Sequence, residues 1–210
     1  MAIKAVVFDI GSVLERVDDT LWPGPWESRL GLAAGGFFEA VANHDLGGDV
    51  TLGEVSEAEL REAWKVVFDI DDETADELMR DMWDWYCGEL DTELLDYFVG
   101  LRSSYKTGIL SNSGDGARRE EQRRYGFADL TDTIVYSHEV GLMKPDPRIY
   151  ELTCQRLDVR PDEVVFLDDV QANVDGARRA GWQAILHENT SASITAVNEI
   201  LGRSGVAGDW

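Results

Sequence analysis

One run sets the terms for the whole chain: Ala5-Val6-Val7-Phe8-Asp9-Ile10-Gly11-Ser12-Val13-Leu14. Four consecutive apolar residues end at a carboxylate, and a glycine follows two positions later. An uninterrupted apolar run of this length reads as a strand buried on both faces, as in a parallel sheet covered by helices. In open α/β sheets ligands bind beyond the C-terminal ends of the strands. The run therefore predicts that Asp9 stands at a site. Taken alone, an aspartate that caps the turn after a strand explains it equally well.

The rest of the chain repeats the pattern. Strand-like apolar runs recur at 3–8, 107–110, 133–136, 164–167 and 183–186. Helical patterns lie at about 115–125, 148–157, 173–180 and 191–201. Alternation of this kind predicts a Rossmann-like α/β core with a parallel sheet covered on both faces. Asp146-Pro147 reads as an N-cap with proline at the first helical position, and Gly126 and Gly181 stand where helices end. The segment 202–210 is expected to fray.

Residues 15–103 depart from that rhythm and show no convincing strand. Ser56-Glu57-Ala58-Glu59 reads as a capping box ahead of Leu60, Ala63, Trp64 and Val67. Further helices are expected near 73–87 and 92–102, with turns at Gly35-Gly36 and Leu46-Gly47-Gly48. The chain thus divides into an α/β core, 1–14 and 104–210, interrupted by a helical insertion, 15–103. Hinges are expected at 15–19 and 101–105. Five of the seven tryptophans fall in the insertion (Trp22, Trp26, Trp64, Trp83, Trp85). They serve its packing, or line a pocket facing Asp9. Arg29, Trp22 and Trp26 are the pocket candidates.

Charge narrows the partners. The chain carries 19 basic against 41 acidic residues, a formal net charge of −22. Nucleic acid and anionic membranes demand a basic face, so both are poor partners. No apolar run approaches the roughly 20 residues of a membrane span. The N-terminal run is too short, and charged too early, for a secretory leader. Cys87 and Cys154 lack metal-ligand spacing and predict reduced thiols in a cytoplasmic protein.

Three more strand tips carry chemistry. Gly108-Ile109-Leu110-Ser111-Asn112-Ser113 ends a strand with a hydroxyl and an amide, both able to hydrogen-bond phosphate oxygens. Gly141-Leu142-Met143-Lys144-Pro145-Asp146-Pro147 pins Lys144, one of only four lysines, before a rigid proline. Val164-Val165-Phe166-Leu167-Asp168-Asp169 closes an apolar strand with two acids, the hard oxygen donors that magnesium prefers. Each has a plain reading as a turn, a surface lysine or a cap. Their convergence on one sheet edge is what favours a site.

In this order the four motifs resemble the haloacid dehalogenase superfamily, in its phosphatase branch with a small helical cap. The resemblance spans essentially the whole chain and implies a core sheet of order 5-4-1-2-3. It implies Asp9 as the nucleophile that forms an aspartyl-phosphate on a small phosphorylated metabolite. Mg²⁺ would be held by Asp9, the Gly11 carbonyl and Asp169, with Asp168 assisting. Ser111, Asn112 and Lys144 would hold the transferring oxygens. Asn173, followed by Asp175, would orient Lys144 or a metal-bound water.

The resemblance breaks at one position. Most such phosphatases carry a second aspartate two residues after the nucleophile, as general acid and base; here it is Gly11. Some relatives with glycine there resemble sugar-phosphate phosphatases. Three explanations stand: a replacement acid (Glu15, Asp18, Asp19 or His44), a substrate with a good leaving group, or phosphate binding without turnover in a regulatory role. Haloacid dehalogenases also lack that aspartate, which keeps dehalogenation as a further alternative.

Overall fold

The computed structural model describes residues 2–202, so the expected fraying of 203–210 lies outside the described residues. The elements run β1 (Ala5–Phe8), β2 (Glu15–Arg16), α1 (Gly24–Leu30), α2 (Gly36–Ala42), α3 (Glu57–Phe68), α4 (Asp72–Cys87), β3 (Glu89–Leu90) and α5 (Thr92–Leu101). There follow β4 (Lys106–Ser111), α6 (Ala117–Tyr125), α7 (Phe127–Leu130), β5 (Thr133–Tyr136), α8 (Ser137–Val140) and α9 (Pro147–Leu157). A 3-10 turn at Pro161–Glu163 leads into β6 (Val164–Asp168), α10 (Gln171–Arg179), β7 (Gln183–Leu186) and α11 (Thr190–Leu201).

Five strands form one parallel sheet in the order β5-β4-β1-β6-β7. Counting core strands alone, this is 5-4-1-2-3 read from the other edge. The labels differ because two short strands, β2 and β3, precede β4 in the chain. β1 is central, and its side chains alternate between two apolar clusters. Val6 and Phe8 join one with Ile109, Leu167 and Phe98. Ala5 and Val7 join the other with Leu110, Phe166 and Ile149. All four are fully buried. At about 1.5–3 kcal/mol for each large apolar side chain, that burial fixes the strand's position. Pairing of Phe8 with both Ile109 and Leu167 brings Asp9 level with Asp168 at the sheet's C-terminal edge.

Local signals decide the helix ends. Ser56 accepts the Glu59 amide, and Glu59 reaches back to the Ser56 amide at 2.8 Å, which closes the expected capping box. Asp146 accepts from the Arg148 amide, with Pro147 in the first turn. Gly126 ends α6 at φ 69°, in the left-handed region that favours glycine.

The insertion differs from expectation in two ways. It contains strands after all: β2 and β3 pair antiparallel, Glu15 with Leu90 and Arg16 with Glu89. Two residues cannot show an alternating pattern, and the partner is far along the chain. The helix expected near 92–102 forms as α5, but it packs against β4 and α11, and Phe98 stacks on Phe8 at 4.7 Å. The second crossing between insertion and sheet therefore lies at Gly88–Asp91, not at 101–105.

No helix among the described residues is long and apolar enough to cross a membrane.

Candidate active site

The sheet gathers the four motif tips at one edge. Asp9 follows β1 directly; its amide donates to Leu167 O at 2.9 Å, and its Oδ1 accepts the Ile10 amide at 2.8 Å. Lys144 enters from the loop before α9 and is 2% exposed. Its Nζ lies 2.8 Å from Asp9 Oδ2, 2.7 Å from Asp168 Oδ2 and 2.9 Å from Leu110 O. An ammonium has three protons, and here each has a protein acceptor. The charge is fixed in place rather than free to follow a ligand.

Two residues hold that lysine. Asn112 Nδ2 donates to Lys144 O at 2.9 Å, and Lys144 N donates to Asn112 Oδ1 at 2.8 Å. The Asn112 side chain is thereby committed to the lysine loop, which leaves its backbone N–H as the group that could meet an anion. Asp168 accepts from Lys144, from the Val170 amide at 2.8 Å and from Asn173 Nδ2 at 3.0 Å. The expected link between Asn173 and Lys144 thus runs through Asp168. Asp175 turns away, accepting from Gln171 at 2.8 Å. Ser111 ends β4 and is buried at this edge.

The electrostatics follow from burial. Burial raises the Asp9 carboxyl to about 7, against the pull of Lys144 and with the help of Asp168. Burial opposes the Lys144 charge, but Asp9 and Asp168 more than offset it and hold its pKa above the usual lysine value. Asp169 is raised by burial, then by its neighbour Asp168. Oxygens of Asp9, Asp168 and Asp169 come within 4.8 Å of one another. Three carboxylates at that spacing fit a hard divalent ion of the magnesium type. Asp168 is engaged by Lys144, Asn173 and Val170, and Asp9 by Lys144 and Ile10, so Asp169 is the least committed of the three.

The insertion packs against the segments that follow β4 and β5. A Cβ added to Gly53 would stand 2.0 Å from the His138 carbonyl oxygen, and one on Gly116 would stand 2.7 Å from the Trp83 ring. Glu57 Oε1 accepts from Trp83 at 2.5 Å, and its carboxylate takes Arg119 in two bonds at 2.8 and 2.9 Å. Trp22, Trp26 and Trp64 are buried, with Trp22 stacked on Trp85 at 4.8 Å. Arg29 lies over Trp26 and pairs with Glu77 on the surface, so it does not face Asp9.

Of the candidates to replace the missing acid, Asp18 and Asp19 are exposed, and Asp18 binds Thr20. His44 is half-buried in the insertion. Glu15 is the one placed beside the nucleophile loop: its amide donates to Ile10 O at 3.0 Å, and it bridges Gly11. Burial, then Glu121, raises its carboxyl to about 10. The sequence reading missed Glu121, a fully buried acid on α6 that accepts a hydrogen bond from the Tyr136 hydroxyl. Burial raises it to about 8. It lies in a helix rich in exposed charge, and nothing in the sequence separates it from its neighbours.

Comparison with known proteins agrees with this geometry. A D-ribitol-5-phosphate phosphatase of Bacteroides thetaiotaomicron is 29% identical over 195 residues, covering 89% of this chain and 93% of that protein. Bifunctional epoxide hydrolase 2 of Mus musculus is 32% identical over 105 residues, 48% of this chain, and that match spans only 19% of the mouse protein. (S)-2-haloacid dehalogenase 1 of a Pseudomonas species is 34% identical over 83 residues, 40% of this chain and 37% of that one. A solved Bacteroides thetaiotaomicron enzyme of the same superfamily, in complex with magnesium and inorganic phosphate, superimposes with TM-score 0.76 at 20% identity over 89% of this chain and 95% of that one. The family model for haloacid dehalogenase-like hydrolases matches residues 3–181. This chain belongs to the haloacid dehalogenase-like hydrolase family.

Proposed function

We propose that the chain is a Mg²⁺-dependent phosphomonoesterase that acts on a small phosphorylated metabolite in the cytoplasm. The observation that carries this reading is the Asp9 carboxylate held 2.8 Å from the buried Lys144 ammonium at the sheet's C-terminal edge. A carboxylate so placed attacks phosphorus and expels the alcohol; water then cleaves the aspartyl-phosphate and restores Asp9. The Ser111 hydroxyl and the Asn112 backbone amide hold transferring oxygens. Lys144, fixed by Asn112 and Asp168, lowers the repulsion between Asp9 and an incoming anion. Most of the gain comes from such positioning and charge stabilisation.

Asp9, the Gly11 carbonyl and Asp169 would hold the metal, with Asp168 assisting through Lys144. When bound, the ion would draw charge from the phosphoryl oxygens. Residues 17–90 act as the cap that covers the site. The relative that hydrolyses D-ribitol 5-phosphate and the magnesium-phosphate complex of the solved relative both favour this reading over dehalogenation.

The test is hydrolysis of p-nitrophenyl phosphate with and without Mg²⁺, beside Asp9→Asn. Turnover should need the metal and vanish in the variant. Undiminished turnover in Asp9→Asn overturns the reading. Gly11 supports a second reading, phosphate binding without turnover, which any hydrolysis removes. Halide release from a 2-haloacid without metal would mark a dehalogenase instead.

A further inference from the structure

The insertion is the most acidic part of an acidic chain: residues 17–90 carry 19 acids against four basic residues. On the core side α6 is its opposite, with four arginines in nine residues. Two of those arginines reach across the seam. Arg119 meets both oxygens of Glu57 on α3, at 2.8 and 2.9 Å, and Arg124 meets Asp84 on α4 at 2.5 Å.

Glu57 does more than pair. Its Oε1 accepts the Trp83 indole N–H at 2.5 Å, and its amide donates to Asp115 Oδ2 at 3.0 Å. One residue thus joins α3 to α4 within the insertion and seats both on the start of α6. The core leaves room for it. Gly116 stands at φ +97°, and a Cβ there would come within 2.7 Å of the Trp83 ring and 3.2 Å of the Glu57 carboxyl. Any side chain at that position would hold the two helices off.

The loop that receives Glu57 runs on directly from Ser111 and Asn112. Its core side is held at Ser113, whose amide donates to Ser137 Oγ at 2.9 Å and whose hydroxyl shares a hydrogen bond with His138 Nδ1 at 3.0 Å. Its other side is held at Asp115 and Gly116 by the insertion. The Arg119 side chain is 56% exposed and that of Glu57 23%, and ion pairs at such exposure add little to overall stability. The place of this pair matters more than its strength, because a misplacement of about 1 Å at a reacting centre can cost about 10² in rate.

We propose that Glu57 is a positioning residue: it docks the cap on the loop of Ser111 and Asn112 and so fixes the groups that hold the transferring oxygens. This rests on the phosphatase reading above.

The experiment measures kcat and KM on p-nitrophenyl phosphate with saturating Mg²⁺, thermal melts, and hydrogen exchange over 111–116. Glu57→Gln keeps an acceptor for Trp83 and the amide for Asp115 but loses the charge that Arg119 meets. Arg119→Gln removes the same pair from the other side. Each should lower kcat/KM about three- to fivefold, mainly through kcat, quicken exchange over 111–116 and leave Tm nearly unchanged. The double variant should fall no further than either single one, and Arg119→Lys should recover most of the loss. Glu57→Ala also strands the Trp83 N–H and should cost at least about tenfold. Unchanged kcat/KM in the folded variants overturns the assignment. So does unchanged exchange over 111–116, or a double variant whose loss is the product of the two single losses. In each of these cases wild type still cleaves the ester and the phosphatase reading survives. A wild type that cleaves no phosphate ester overturns both.

Discussion

Gly11→Asp should convert a slow phosphatase into a faster one on esters of poor leaving groups. A Cβ at Gly11 meets nothing within 4 Å, and its φ lies outside the left-handed region, so an aspartate fits without strain. The backbone carbonyl is untouched. A positioned general acid contributes typically about 10²–10⁴ in rate, or about 3–6 kcal/mol off the barrier at about 1.4 kcal/mol per tenfold. The low end applies here. The new carboxyl adds negative charge two residues from Asp9, which burial already raises to about 7, and so costs some of the nucleophile's ionised fraction. The assay is kcat on an alkyl phosphate and on p-nitrophenyl phosphate, each with saturating Mg²⁺. About a hundredfold gain is expected on the alkyl ester, and little on p-nitrophenyl phosphate, whose phenolate leaves unaided. No gain on the alkyl ester would mean that another group already delivers the proton, or that leaving-group departure does not limit the rate. Either result refutes the account of Gly11 as a missing acid.

Lys144→Met should abolish turnover and lower stability in urea by about 3–5 kcal/mol, the range for removing one partner of a buried charge cluster, because Asp9 and Asp168 both lose their counter-charge. Glu15 makes stability fall as pH rises. Burial, then Glu121, pushes its carboxyl up to about 10 from the ordinary glutamate value of 4.5, so it is protonated in the fold. Above pH 4.5 the unfolded chain therefore holds fewer protons and gains. At pH 7 the difference amounts to about 3 kcal/mol, so Glu15→Gln should raise Tm at pH 8 and flatten its decline from pH 5. An equal slope in both proteins would place that acid in water. Gly53→Ala, at φ +73° and with its Cβ 2.0 Å from the His138 carbonyl, should lift the cap loop from the core. The expected result is a kcat/KM about tenfold lower with Tm little changed; wild-type kinetics would show that the loop does not help close the site.

The core of this fold was legible because its signals are local. Val6-Val7-Phe8 and Val164-Val165-Phe166-Leu167 can only be buried, and each stops at an acid, so both the strands and the tips bearing Asp9 and Asp168 follow from composition and order. Lys144 was found by its company, one lysine fixed before a proline. The two-residue ribbon of β2 and β3 was not legible, because its pairing depends on a partner more than seventy residues away. α5 was given to the insertion by its place in the chain, yet Phe98 commits it to the sheet by packing. Glu121 was invisible for a related reason. Within Arg118-Arg119-Glu120-Glu121-Gln122-Arg123-Arg124 every residue looks solvated, and only the turn of the helix puts one of them inside.

The ribbon of β2 and β3 bears on how a substrate gets in. Both passages of chain between core and cap are tied to each other there, Glu15 to Leu90 and Arg16 to Glu89. Two strands laced side by side bend readily across their width but resist shearing or twisting apart. A cap carried on that pair would have one easy direction of travel, a tilt about the narrow strap. Because Glu15 is itself part of the strap and its amide donates to Ile10 O, a tilt there would pull on the loop that follows Asp9.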